Sequence, residues 1–179
     1  MAEARILSRP EHPISRKDID PDVVNILYRL KKNGFEGYLV GGAIRDFLRG
    51  VQPKDFDVAT DATPHELRHL FRNSRIIGRR FRLVHVCFGP KAIEVATLRA
   101  EVDPPEGDES DAYIEDDNCW GTVETDAFRR DFTINGLYYD IDDFSVIDHV
   151  GGIADIEAGL IRSIGDPRRR FVEDPVRML

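Results

Sequence analysis

The stretch PKDFDVAT, residues 53–60, sets two carboxylates two positions apart at the start of an apolar run. Read as a strand over 56–60, with Asp55 leading into it, the alternation of side chains turns Asp55 and Asp57 to the same side. Like charges that close repel, and each raises the other's pKa unless a cation lies between them. Three chemistries fit such a pair. Asp before a strand can cap backbone groups in a turn. A calcium loop would use Asp55, Asp57, Asp61 and Glu66 at its first, third, seventh and twelfth positions, but its sixth residue is Thr60 and not glycine, and Val58-Ala59 reads as strand. The third is a magnesium pair, in which two carboxylates on a rigid strand share two ions with a substrate's phosphates.

Other residues extend that third reading. In LVGGAIRD, residues 39–46, Gly41 and Gly42 stand between a strand and a helix, 13 residues before Asp55 counting from Gly42. Amides there can approach phosphate because no Cβ intervenes. A plain tight turn is the simpler alternative. Glu94 interrupts the apolar strand around IEVAT. A buried carboxylate there needs a partner, either Arg99 or another arginine, or a metal shared with Asp55 and Asp57. A helix over 126–137 would gather Arg130, Asp131 and Asn135 on one side, with Phe128 and Phe132 turned inward. Arginine binds phosphate, and Asp and Asn can bond ribose hydroxyls. A surface ion-pair network is the alternative.

The elements that would position these groups follow from local signals. Residues 1–19 read as a polar arm. Asp20 caps a helix with Pro21 at its first position and apolar residues at 23, 26, 27 and 30, and Gly34 ends it. A strand at 37–40 runs into a helix around 43–48. Thr63 and Glu66 form a capping box for a helix reaching residue 72. Strands at 82–88 and 92–98 meet at Gly89-Pro90 as a hairpin. Residues 103–118 read as a loop. After the helix over 126–137 come strands at 138–141 and 144–150, a helix at 153–158, a strand at 160–164, and helix starts at Asp166-Pro167 and Asp174-Pro175. Helices alternate with strands that include a hairpin, so a mixed sheet covered by helices is expected.

The chain has 179 residues, 41% apolar and 32% charged, with a net charge of −8. That suits one soluble domain, with length left for the start of a second. No apolar run is long enough to span a membrane, and the polar N-terminus argues against secretion. Cys87 and Cys119 form no metal-spacing motif and read as reduced thiols of a cytoplasmic protein. Charge is segregated: residues 68–82 hold six arginines and no acid, while residues 101–118 hold nine acids and no base. The arginine block could track a phosphate backbone or form a solvated helix face and loop.

GGAIRD (41–46), DFDVAT (55–60), IEVATLR (93–99), RRDFTINGLYYD (129–140) and EDPVRML (173–179) occur in that order. Together they resemble the head of the class II tRNA nucleotidyltransferase and bacterial poly(A) polymerase family, over nearly the whole chain. HPISRKDID (12–20) and RIIGRRFRLVHVCFG (75–89) look like the poly(A) polymerase branch. The resemblance implies an α+β, polymerase-beta-like nucleotidyltransferase head with a mixed, mostly antiparallel sheet flanked by helices. It implies an enzyme that adds AMP from ATP to RNA 3′ ends with two magnesium ions. Asp55 and Asp57 would bind the metals, with Glu94 a third catalytic carboxylate. Gly41, Gly42, Arg45 and Asp46 would hold the triphosphate, and Arg99, Arg130, Asp131 and Asn135 would complete the nucleotide site. Glu173, Asp174 and Arg177 would select the base through its Watson–Crick edge. Arg79, Arg80 and Arg82 are candidates for contacting RNA. Residues 20–165 would be the head and 166–179 the start of a helical neck truncated at Leu179. The family continues from there into domains that grip RNA. The alternatives are a tRNA CCA- or A-adding enzyme and an inactive head that binds nucleotide or RNA.

Overall fold

Asp20 accepts the Asp22 N–H and Pro21 opens the helix that follows, α1 (Pro21–Lys32), as the capping signals require. Its stripe of Val23, Ile26, Leu27 and Leu30 is buried against a sheet, and the chain leaves it through Gly34 at φ +84°. The structure, a computed structural model, describes residues 4–78, 82–100 and 119–168. The remaining elements in chain order are β1 (Arg5–Leu7), β2 (Tyr38–Val40), α2 (Gly42–Leu48), β3 (Asp57–Thr60), α3 (Pro64–Leu70), β4 (Ser74–Ile77), β5 (Leu83–Phe88), β6 (Lys91–Thr97), α4 (Val123–Arg129), β7 (Leu137–Asp140), β8 (Val146–Asp148) and α5 (Gly152–Ala158). The strands form a single sheet in the order β1-β8-β7-β2-β3-β6-β5-β4. All neighbours are antiparallel except β3 and β6, so the sheet is mixed and mostly antiparallel, as expected.

The two faces of this sheet differ. One buries Leu39, Val58, Val84, Val86, Val95, Leu137, Tyr139 and Val146 together with the apolar sides of α1, α2 and α3 in the main core. The other carries a small cluster, Tyr38, Val40, Ala59, Leu98, Ala127 and Tyr138, partly covered by α4. The register aligns Asp57 with Val40 on one side and Glu94 on the other, so both carboxylates open onto this second face.

Several expectations change. The strand begins at Asp57, so Asp55 and Phe56 precede it. Residues 5–19 are no free arm: β1 pairs with β8, and Leu7, Ile14 and Ile19 are buried. Three apolar anchors outweigh the polar residues between them. The arginine-rich segment contributes strand β4, and α3 stops at Leu70. Ser74, Ile76 and their neighbours pair with β5, which satisfies backbone groups a longer helix would have to bond internally. The helix over 126–137 is replaced by α4, an extended Arg130 and Phe132, and a 3₁₀ turn over Thr133–Asn135. The cause is tertiary. Thr133 N–H donates to the Arg162 carbonyl and the Asp131 carbonyl accepts from Ile164, so the 162–164 segment takes the groups a helix would use. That segment makes only the bridge Phe132–Ser163 rather than a full strand at 160–164. A helical start at Pro167 is present, with Asp166 accepting the Arg168 N–H. The acidic stretch 103–118 and the second helix start at Asp174-Pro175 lie outside the described residues.

Candidate active site

The site is built around one tight turn. Between β2 and α2 the chain reverses through Gly41 at φ +72°, ψ −142°, a conformation that L residues rarely adopt. A Cβ built on Gly41 would lie 3.8 Å from both Arg130 Nη1 and Asp57 Oδ2. The turn therefore lies against a guanidinium and a carboxylate at once. A Cβ on Gly42 would meet Arg45 Nη2 at 3.2 Å, so the Arg45 guanidinium folds back over the same turn.

Asp57, the first residue of β3, is exposed at the lip of the site, yet its carboxyl is crowded by protein. Burial pushes its pKa up, the charge of Glu94 pushes it further and Asp55 adds a smaller push, while Arg130 pulls it down. Asp55 is thus close enough to be felt electrostatically, although it lies before the strand. Glu94 is not the buried carboxylate the sequence suggested. Its side chain is half exposed, and its partner is His85 Nε2 at 3.2 Å, directly across the β5–β6 hairpin, and not an arginine. Half exposure removes the desolvation penalty that would have demanded a cation.

Arg45 and Asn135 are joined into one chain of bonds. Arg45 Nη1 donates to Asn135 Oδ1 at 2.9 Å, and Asn135 Nδ2 donates to Asp131 Oδ1 at 3.3 Å. On its other side Arg45 is paired with Asp46 at 2.9 Å. Asp46 thus anchors Arg45 instead of facing the turn alone. Arg130 reaches the turn from the C-terminal end of α4. Its Nε and Nη2 are bonded to Asp126 and Tyr138, and the guanidinium lies close to the Tyr138 ring. Burial opposes its charge, but Tyr138 and Asp126 outweigh that and hold its pKa above the ordinary value.

Arg99 does not join Glu94. It is buried, its Nη2 donates to the Arg82 carbonyl at 2.9 Å, and its own N–H donates to Asp126. Phe128, expected to point inward, is instead 39% exposed on α4. Arg79, Arg80, Glu173, Asp174 and Arg177 lie outside the described residues. Sequence reasoning missed Asp126, Tyr138 and His85. Two of these had signals: Asp126 stands four residues before Arg130, and a hairpin turning at Gly89-Pro90 fixes His85 opposite Glu94.

Among the described residues, no group of three His, Cys, Asp or Glu side chains is arranged to hold a metal by itself. Asp57 with the nearby Asp55 would be only part of a donor set, which hydrated magnesium could complete with water and phosphate oxygens. The crowding that raises the Asp57 pKa is what such an ion would relieve.

Residues 37–162 match the family model of the poly A polymerase head domain. Poly(A) polymerase I of Salmonella typhi is 54% identical over 180 residues, 97% of this chain and 39% of that protein. The CC-adding tRNA nucleotidyltransferase of Halalkalibacterium halodurans is 40% identical over 162 residues, 90% of this chain and 37% of that protein. Among solved structures, the Bacillus stearothermophilus CCA-adding enzyme in complex with CTP matches with a TM-score of 0.73 at 32% identity, over 89% of this chain and 38% of that one. The chain spans about two fifths of the length of these relatives. Among the described residues no helix is long and apolar enough to cross a membrane.

Proposed function

The chain belongs to the poly A polymerase head domain family, and we propose that it transfers AMP from ATP to RNA 3′ ends without a template, in the cytoplasm, using two magnesium ions. The observation that carries this reading is the meeting of Asp57 Oδ2 and Arg130 Nη1 at the Gly41 turn. It supports the reading because a glycine turn, a guanidinium and a carboxylate come within one side chain's reach.

Asp55 and Asp57 would hold the metals, and Glu94 keeps the lip of the site acidic. Bound there, magnesium would supply Lewis acidity for the phosphoryl transfer. The amides of Gly41 and Gly42 and the guanidinium of Arg45 bind the triphosphate, with Asp46 orienting Arg45. Arg130 faces the phosphate from the opposite side. Asp131 and Asn135 address the ribose. The 3′ oxygen attacks the α-phosphorus in line, its bond to pyrophosphate breaks, and the hydroxyl proton leaves to solvent. Glu173, Asp174 and Arg177 select adenine by its Watson–Crick edge. Arg79, Arg80 and Arg82 follow the RNA strand, and Arg99 serves by holding the Arg82 carbonyl. Residues 20–165 constitute the head, with the 5–19 segment packed on it, and residues 166–179 begin a neck.

A second reading, CCA or A addition to tRNA, is favoured by the solved relative that was captured with CTP. The two separate when a tRNA lacking its terminal residues is offered CTP or ATP alone. AMP incorporation in runs from ATP, with no CMP incorporation, is expected. Incorporation of CMP would give the second reading.

A further inference from the structure

We infer that Asp126 is a positioning residue of this site, acting through Arg130 to aim one edge of its guanidinium at the Gly41 turn. The inference rests on the function proposed above.

Asp126 lies on the inner side of α4 and is only 6% exposed. Its Oδ2 accepts from Arg130 Nη2 at 3.0 Å and Nε at 3.3 Å, and from the Tyr138 hydroxyl at 2.7 Å. Its Oδ1 accepts the Arg99 backbone N–H at 3.2 Å and lies 3.7 Å from Arg129 Nη1. The carboxylate is thus tied to the end of β6, to β7 and to its own helix. Arg130 Nε also meets the Tyr138 oxygen at 2.9 Å, closing a three-membered ring of bonds between Asp126, Arg130 and Tyr138.

A guanidinium is planar and rigid, so fixing Nε and Nη2 fixes the direction of Nη1. That nitrogen is the one 3.8 Å from the Cβ position of Gly41, with Asp57 Oδ2 equally far from the same point. Arg130 therefore has two competing anions within its field, Asp126 behind it and Asp57 ahead. Removing Asp126 leaves Asp57 as the stronger attraction. Arg130 would then close onto Asp57, withdrawing a cation from the phosphate and occupying a carboxylate that the substrate's metal needs.

The test is a double-mutant cycle on direct binding of ATP in magnesium, using the purified chain and its variants Asp126→Asn, Arg130→Lys and the double variant. Lysine keeps the charge but cannot be held at two nitrogens while presenting a third. Asp126→Asn is expected to weaken ATP about tenfold. In the Arg130→Lys background the same change should cost less than about twofold, because its effect runs through the fork. Equal losses in both backgrounds would overturn the inference, since a merely structural Asp126 matters in both. If Asp126→Asn does not fold, Tyr138→Phe takes its place: a smaller loss of ATP affinity that vanishes in Arg130→Lys supports the inference, and no loss or an additive one overturns it. A wild-type chain that does not bind ATP overturns the proposed function and this inference with it. An additive cycle in a wild type that does bind ATP overturns the inference alone.

Discussion

The two faces of β3 follow different rules. Val58 and Thr60 point into the main core and are fully buried. Asp57 and Ala59 point to the opposite face, where Ala59 joins a cluster of six buried residues and Asp57 stands among charges. The core face is held by apolar area, which tolerates approximate shapes. The site face is held by directed bonds: Arg45 between Asp46 and Asn135, Arg130 between Asp126 and Tyr138. The lesson is that stability and chemistry are separated by a single strand, two residues out of every four going to each.

The largest expected effect tests the site side of that separation. Asp57→Ala should lower AMP transfer by about a thousandfold or more while the circular dichroism spectrum stays native. Full activity in a well-folded variant would remove Asp57 from the chemistry. On the core side, Leu39→Ala, one residue before Val40 but on the other face, should cost about 2–5 kcal/mol in denaturant unfolding. Activity per folded molecule should be retained. A native-like stability would mean that the main core does not rest on β2.

Gly41→Ala bridges the two. It asks a Cβ to accept φ +72° and to sit beside Arg130 and Asp57, so a loss of about 1–2 kcal/mol together with a marked loss of ATP binding is expected. Stability loss without binding loss would detach the turn from the nucleotide.

The smallest effect is one of pH. The Asp57 pKa is raised in the folded chain, so its contribution to stability is fully present below the ordinary carboxylate pKa and is lost as pH rises through the raised value. Without magnesium, Asp57→Asn should therefore melt higher than wild type at neutral pH, with the gap closing in acid. Adding magnesium at neutral pH should raise the melting temperature of wild type more than that of the variant. The opposite ordering would mean that Asp57 already has its cation, in Arg130.

Much of this fold was legible in the sequence because its signals are local. The Asp20-Pro21 cap, the Thr63–Glu66 box and the Gly89-Pro90 turn each act within four residues. The tight glycine turn between β2 and α2 was legible for the same reason. What was not legible depends on partners distant in the chain. Whether residues 130–135 continue a helix is decided by carbonyl and amide groups at 162–164. Whether residues 5–7 form an arm or a strand is decided by β8, more than a hundred residues later. Glu94 was placed on the right strand but given the wrong environment, because the exposure of its face depends on how far α4 covers the sheet.

The most direct measurement offers the chain a saturating labelled RNA oligomer, magnesium and each nucleoside triphosphate separately, with Asp57→Ala alongside. Extension into a ladder with ATP alone, absent in Asp57→Ala, is the expected result. Extension with CTP as readily as with ATP, or extension undiminished in Asp57→Ala, would contradict AMP transfer by this pair of carboxylates.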